Sequence, residues 1–291
     1  MLTPGQTITS NNLQTQLIAA VLEPIISEKR IEYRSHLGLE IDFSVDRAYG
    51  LCAKINLSDF KRVISNLINN AIEASVNQIR ISVGIQPCLD NKVEIYIQDN
   101  GKGIPPEILA RLGNRGETHG KVGGSGLGIF HAKTTVESWG GILKLESKLN
   151  FGTTVRIQLS KEKVPNWFMP GLNVPINGKV AILDDDSSIH HVWKDRFAKL
   201  DNNKIELLHL STPDQVRDSV SDKLISFFLM DYELLGFSEN GLDLIEKLSL
   251  QNKSCLVTSR FEEESVLKRC QTLGVKLIPK SLAEFVPIEI Y

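Results

Sequence analysis

From Lys179 to Lys280 the chain alternates short, nearly continuous apolar runs with polar segments of helical character. The runs are VAILD, IELLHL, SFFLMD, SCLVTS and VKLIPK. Between them, Ser187–Leu200, Pro213–Leu224, Gly241–Leu250 and Glu262–Leu273 read as helices. A strand with one wet face alternates polar and apolar residues; a strand covered on both faces does not need to. The pattern therefore predicts a doubly wound, five-stranded parallel α/β sheet. Ligands of such sheets sit at the carboxyl ends of the strands. Those ends carry Asp184, Asp185 and Asp186, then Asp231, Thr258 and Lys280.

Upstream lies a composition break, KEKVPNWFMPGLNVPINGK, with Pro165, Pro170 and Pro175 at five-residue intervals. Proline at that density excludes a helix or a central strand. The expected organisation is a first domain over 1–162, a proline-rich extended linker over 163–177 and a second domain over 178–291. The first half mixes element types. Leu13 to Tyr33 has helical apolar spacing with Pro24 as a kink, and LEIDFSV alternates as a half-buried strand. A helix is expected from Ser58 as N-cap, with Phe60, Val63, Ile64, Leu67, Ile68, Ala71 and Ile72 on one face. QIRISVGI and KVEIYIQD follow as alternating strands. Helices beside a mixed sheet predict a two-layer α/β sandwich.

Bulk properties narrow the function classes. The formal net charge is -2, which leaves no electrostatic footprint for nucleic acid. The longest apolar run, Leu224 to Met230, is too short to span a bilayer. Cys52, Cys88, Cys255 and Cys270 are scattered without a CxxC pair, the pattern of a reducing compartment without structural zinc.

Three segments of the first half suit a nucleotide. Asn66 and Asn70 in SNLINNAIEAS lie four apart on one helical face, where two amides can hold oxygen-rich ligands or hydrated Mg²⁺. In IQDNGKGIPPEI a strand ends at Asp99, a carboxylate able to accept from an exocyclic amine, and Gly101 and Gly103 allow close backbone approach. In GKVGGSGLGIFHAK, Gly123, Gly124, Gly126 and Gly128 precede an apolar helical run, whose first N–H groups suit phosphate. Neither a Walker A motif nor a strand directly before these glycines is present.

Taken in order, NLINNA, DNGKGIP and GGSGLG resemble the N, G1 and G2 boxes of the histidine-kinase ATPase family, shared with gyrase and MutL-type proteins. The resemblance implies that Asn70 binds the Mg²⁺ of ATP and Asn66 supports the phosphates. It places adenine on Asp99, with Gly101 and Gly103 lining the base. Gly124, Gly126, Leu127 and Gly128 would lie along the phosphates. Residues 111–121 would form an ATP lid, with Arg115, His119 or Lys121 reaching the γ-phosphate. Two departures stand out. LARLGNRGETHGK lacks the usual F-box phenylalanine, and the gyrase-type catalytic glutamate is Asn66 here. The second disfavours an activated-water ATPase and favours transfer to a protein acceptor.

Clustered carboxylates demand a divalent cation, and a carboxylate nucleophile beside Mg²⁺ and lysine is the chemistry of an acyl-phosphate. The second half resembles the receiver domain of response regulators, a flavodoxin-like fold. That resemblance implies Asp184 and Asp185 as the acid pair, with Asp185 the direct Mg²⁺ ligand. It also implies Asp231 as ligand and phosphoacceptor, the Glu233 backbone carbonyl as third ligand, Thr258 as switch hydroxyl and Lys280 as phosphate-binding lysine. The usual switch aromatic is Leu277, Ser281 follows Lys280 in place of proline, and eleven residues remain, enough for a truncated last helix.

The expectation is the C-terminal part of a hybrid sensor histidine kinase with ATP and Mg²⁺ as cofactors. It would be cytoplasmic, with a membrane-anchored parent protein compatible with it. His36, His190 and His191 do not sit in a phosphoacceptor hairpin, and His190 and His191 read as surface residues. The histidine hairpin would therefore lie upstream in a longer chain or on a partner, with homodimerisation through it. A downstream phosphorelay protein is a further expected partner; nucleic acid is not. Two other readings share these residues: a non-catalytic nucleotide-binding regulatory adaptor, and a serine kinase of the anti-sigma type.

Overall fold

The structure, a computed structural model, describes residues 12–45, 47–74, 78–109, 127–200 and 205–291. The chain separates into two compact units, Met1–Val164 and Pro165–Tyr291.

The first unit runs β1 (Gln14–Leu17), α1 (Ile18–Glu32), β2 (Leu39–Ser44), β3 (Cys52–Ile55), α2 (Leu57–Ala74), β4 (Ile79–Cys88), β5 (Lys92–Asp99), α3 (Pro106–Leu109), α4 (Leu127–Ser138), β6 (Ile142–Lys148) and β7 (Gly152–Glu162). Its seven-stranded mixed sheet has the order β1-β3-β7-β5-β4-β2, with β6 also on β7. The inward residues of the central strands, Ile81, Val83 and Ile85, then Val93, Ile95 and Ile97, then Val155, Ile157 and Leu159, are all buried. Against them lies the predicted apolar face of α2: Phe60, Val63, Ile64, Leu67, Ile68, Ala71 and Ile72. Each fully buried side chain of this kind stabilises the fold by about 1.5–3 kcal/mol, so this interface fixes where α2 sits.

Two local expectations are corrected. Leu13 to Tyr33 is not helical throughout, because Gln14–Leu17 pairs antiparallel with β3 before α1 begins. Helix α2 is capped by Asn56, not Ser58: the Asn56 side chain accepts from the Asp59 N–H at 3.0 Å. Both residue types cap well, and the start of the core-facing stripe decides between them.

The second unit runs β8 (Leu172–Val174), β9 (Lys179–Leu183), α5 (Ser187–Ala198), β10 (Glu206–Leu210), α6 (Pro213–Ser219), β11 (Ile225–Asp231), α7 (Gly241–Lys247), β12 (Ser254–Thr258), α8 (Glu264–Leu273), β13 (Lys276–Pro279) and β14 (Ile288–Ile290). Five parallel strands take the order β10-β9-β11-β12-β13, the doubly wound 2-1-3-4-5 arrangement. Helix starts are chemically specified: Asp186 caps α5, and capping boxes open α6 (Thr212, Gln215) and α7 (Asn240, Asp243).

The proline-rich stretch is extended and packs within this unit. Phe168 is buried and bridges Leu277, so the stretch covers the outer edge of β13. Strand β8 then pairs in parallel with β14. The expected stub of a last helix is a 3-10 turn, Lys280–Phe285, and the chain continues as β14.

Candidate functional site

In the first unit, the loop after β5 is held by one carboxylate. Asp99 is buried, and its Oδ1 accepts from the Gly101 N–H at 2.8 Å and the Thr153 N–H at 3.2 Å. Burial pushes the Asp99 carboxyl above the usual aspartate range, while those two donors pull it back. Among the described residues nothing bonds its Oδ2, so that oxygen is available to a donor from outside. The loop crosses the end of α2, where the Lys102 N–H donates to the Ala74 carbonyl at 3.0 Å. A Cβ on Gly101 would lie 2.7 Å from that carbonyl oxygen, so only glycine allows the crossing. Gly103 has φ +67, and a Cβ there would lie 2.1 Å from the Lys148 carbonyl oxygen. The hairpin between β6 and β7 is thus packed directly on the loop.

Asn66 and Asn70 are half-buried, one turn apart on α2. Gly128 on α4 faces Asn70: a Cβ there would lie 3.7 Å from Asn70 Nδ2. Asn70, Gly128, Asp99, Gly101 and Gly103 thus belong to one two-layer unit built by α2, α4 and the end of β5. Lys121, Gly124 and Gly126, with the expected lid over 111–121, lie outside the described residues; Leu127 is the first residue of α4.

Two participants were missed in the sequence. Thr153 supplies the second backbone donor to Asp99. Ser147 Oγ accepts from the Ile104 N–H at 2.9 Å and donates to the Gly152 carbonyl at 2.9 Å, tying loop to hairpin. The signal available was FGTTV, a glycine-threonine step at the start of a strand.

In the second unit the acid pocket assembles from three strand ends. Ligand oxygens of Asp184, Asp185 and Asp231 all lie within 4.8 Å of one another. Asp184 and Asp231 are buried and Asp185 is exposed. Lys280 Nζ bridges the two buried acids, 2.8 Å from Asp184 Oδ2 and 3.0 Å from Asp231 Oδ2. Burial, reinforced by the Asp184 charge, pushes the Asp231 carboxyl up to about 6, against the pull of Lys280. Burial likewise raises Asp184. Burial alone would lower the Lys280 ammonium; contact with Asp184 and Asp231 outweighs it and holds the group above its ordinary value. Thr258 is buried at the end of β12, and its Oγ1 accepts from the Arg260 N–H at 3.0 Å. Its own O–H is free to point elsewhere. Glu233, two residues beyond Asp231, is exposed, and its carboxylate pairs with Arg260.

Three carboxylates this close, two of them buried and raised, form a hard-oxygen set that suits Mg²⁺ and not a soft metal. One surface assignment is corrected. His191 is exposed, but His190 is half-buried and bonded to both the Asp184 carbonyl and His209.

Residues 56–163 match the family model described as histidine kinase-, DNA gyrase B- and HSP90-like ATPase. The chain is 32% identical over 154 residues to histidine protein kinase SaeS of Staphylococcus epidermidis, covering 50% of this chain and 42% of SaeS. It is 32% identical over 164 residues to sensor protein SrrB of Staphylococcus aureus, covering 52% of this chain and 26% of SrrB. The chain therefore spans less than half the length of these curated relatives. Among solved structures, the mycobacterial sensor histidine kinase MprB covers 53% of this chain and all of its own at 23% identity and a TM-score of 0.44. No helix among the described residues is long and apolar enough to cross a membrane. Residues 56–163 are an ATPase domain of the histidine kinase, gyrase B and HSP90-like type, with sensor histidine kinases among its relatives.

Proposed function

We propose that this chain is the C-terminal part of a hybrid sensor histidine kinase. The first unit binds ATP and phosphorylates a histidine carried on a helical hairpin, upstream in a longer protein or on a partner. The second unit is a receiver that takes the phosphoryl group on Asp231. One observation carries the reading beyond the ATPase family: the buried Asp231 carboxylate ends the central strand β11 within reach of two further acids and of Lys280.

In the first unit, Asp99 Oδ2 accepts the exocyclic amine of adenine while Oδ1 stays fixed by backbone. Asn66 and Asn70 face the phosphates, with Gly128 leaving room beside Asn70. The resemblance to the family assigns Lys121, Gly124, Gly126 and Leu127 to the phosphates as well. Asn66 in place of the gyrase-type glutamate disfavours activation of water and favours transfer to an imidazole.

In the second unit, Asp184, Asp185, Asp231 and the Glu233 carbonyl would hold Mg²⁺. Bound there, the ion neutralises the acids and the incoming phosphoryl oxygens. An Asp231 carboxylate oxygen attacks phosphorus, the phosphorus–nitrogen bond of the phosphohistidine breaks, and the imidazole leaves with the electron pair and is protonated. Lys280 turns from the two carboxylates to the new phosphoryl oxygens, and Thr258 donates its free O–H to one of them.

The experiment supplies labelled ATP to the full chain together with a separate protein bearing a phosphoacceptor histidine hairpin. The expected product on the hairpin is acid-labile and alkali-stable, with none of that type on the chain alone. Asp99→Ala should weaken a non-hydrolysable ATP analogue by about 1–3 kcal/mol in calorimetry, since the adenine amine loses its acceptor. Unchanged affinity and transfer in that variant would remove Asp99 from the site and the reading with it.

A further inference from the structure

We propose that His190 and His209 form a positioning dyad that fixes the Asp184 main chain for metal binding in the acid pocket. The inference rests on the reading of that pocket as a Mg²⁺ site.

Two bonds define the dyad. His190 Nε2 lies 2.9 Å from the Asp184 carbonyl oxygen, and His190 Nδ1 lies 2.8 Å from His209 Nδ1. The rings meet edge to face, with centroids 4.8 Å apart and planes at 81°. A carbonyl only accepts, so His190 Nε2 carries the hydrogen. The two Nδ1 atoms that face each other share one further hydrogen between the rings. Burial, then the neighbouring His190, Lys194 and His191, hold His209 below the ordinary histidine range. The neighbouring His191 shows what a merely local contact looks like: its Nδ1 bonds the Ser187 carbonyl one turn back on its own helix. His190 instead reaches out of α5 to the end of β9.

The effect on Asp184 is specific. Its N–H donates to the Leu210 carbonyl at 3.1 Å, and its carbonyl is taken by His190. Its Oδ1 accepts from the Asp186 N–H at 2.9 Å. Only Oδ2, held by Lys280, is in a bond that a cation would exchange. When Lys280 lets go, the backbone on either side of Asp184 stays fixed, and the adjacent Asp185 keeps its bearing. Outer groups that orient ligands in this way are worth about 10–100-fold in metal affinity.

The test is Mg²⁺ titration of the full chain by calorimetry, paired with labelling by acetyl phosphate across Mg²⁺ concentrations. His190→Leu should raise the Mg²⁺ dissociation constant about tenfold or more and shift half-saturation equally, with the maximal labelling rate at saturating Mg²⁺ unchanged. His190→Gln, whose amide N–H can reach the same carbonyl, should restore most of the affinity. His209→Ala, at an exposed strand position, keeps the fold and should weaken Mg²⁺ by a smaller factor. Wild-type affinity in His190→Leu overturns the proposal, and so does a glutamine variant as weak as the leucine one. A wild-type chain that binds no Mg²⁺ at millimolar concentration overturns the acid-pocket reading itself, which separates the two failures.

Discussion

At Asp231 burial and the Asp184 charge oppose ionisation, while Lys280 and the Tyr232 backbone N–H favour it. The folded-state value, about 6, lies above the ordinary 3.8. Its stabilising contribution is thus fully present below the ordinary value and lost as pH rises through about 6. Above that pH the metal-free fold carries a charge it disfavours, at a cost of about 3 kcal/mol at most for a two-unit shift. In EDTA, Asp231→Asn should therefore unfold at a higher temperature than wild type near neutral pH, and the gap should close as pH falls towards 4. A gap that is constant with pH would show that Asp231 is not a strained carboxylate. Most of these site residues were legible because strand-end position is legible: an apolar run that stops at an acid, a threonine or a lysine announces itself. His190 and His209 were not, since nothing in sequence shows that β10 pairs with β9 in the register that brings them together.

The elements that hold the nucleotide loop depend on close backbone packing, which offers a controlled comparison. Gly103 and Gly140 have similar positive φ, +67 and +76. A Cβ on Gly103 meets the Lys148 carbonyl, whereas one on Gly140 meets nothing within 4 Å. Gly140→Ala should cost only the conformational strain, about 1–2 kcal/mol. Gly103→Ala should cost clearly more and should also weaken nucleotide binding, because hairpin and loop must separate. Equal losses in thermal unfolding would mean that the hairpin does not brace the loop. Elements with a strong internal period, such as α2 and the five parallel strands, were readable from sequence. Those defined by distant partners were not. Gln14–Leu17 continues the helical spacing of α1, and only β3 makes it a strand. Ile288–Ile290 has no period of its own, and β8 gives it a ladder.

At the scale of the whole chain, one unit carries an ATPase fold shared with sensor kinases, and the other carries a cluster of three carboxylates that we propose takes a phosphoryl group. The second site departs from the receiver pattern at Leu277, which is buried and pairs through its backbone with residues 167–169, and in its C-terminal strand. On the proposed receiver reading, those departures concern how a signal leaves the unit and not how phosphate enters it. The most direct measurement is therefore phosphate uptake itself. The full chain, incubated with acetyl phosphate and Mg²⁺, should gain one acid-stable, alkali-labile phosphate that maps to Asp231. EDTA and Asp231→Asn should each abolish it, and Lys280→Ala should slow it. Uptake at the wild-type level by the Asp231→Asn chain, or none by the intact chain with Mg²⁺ bound, would contradict the account.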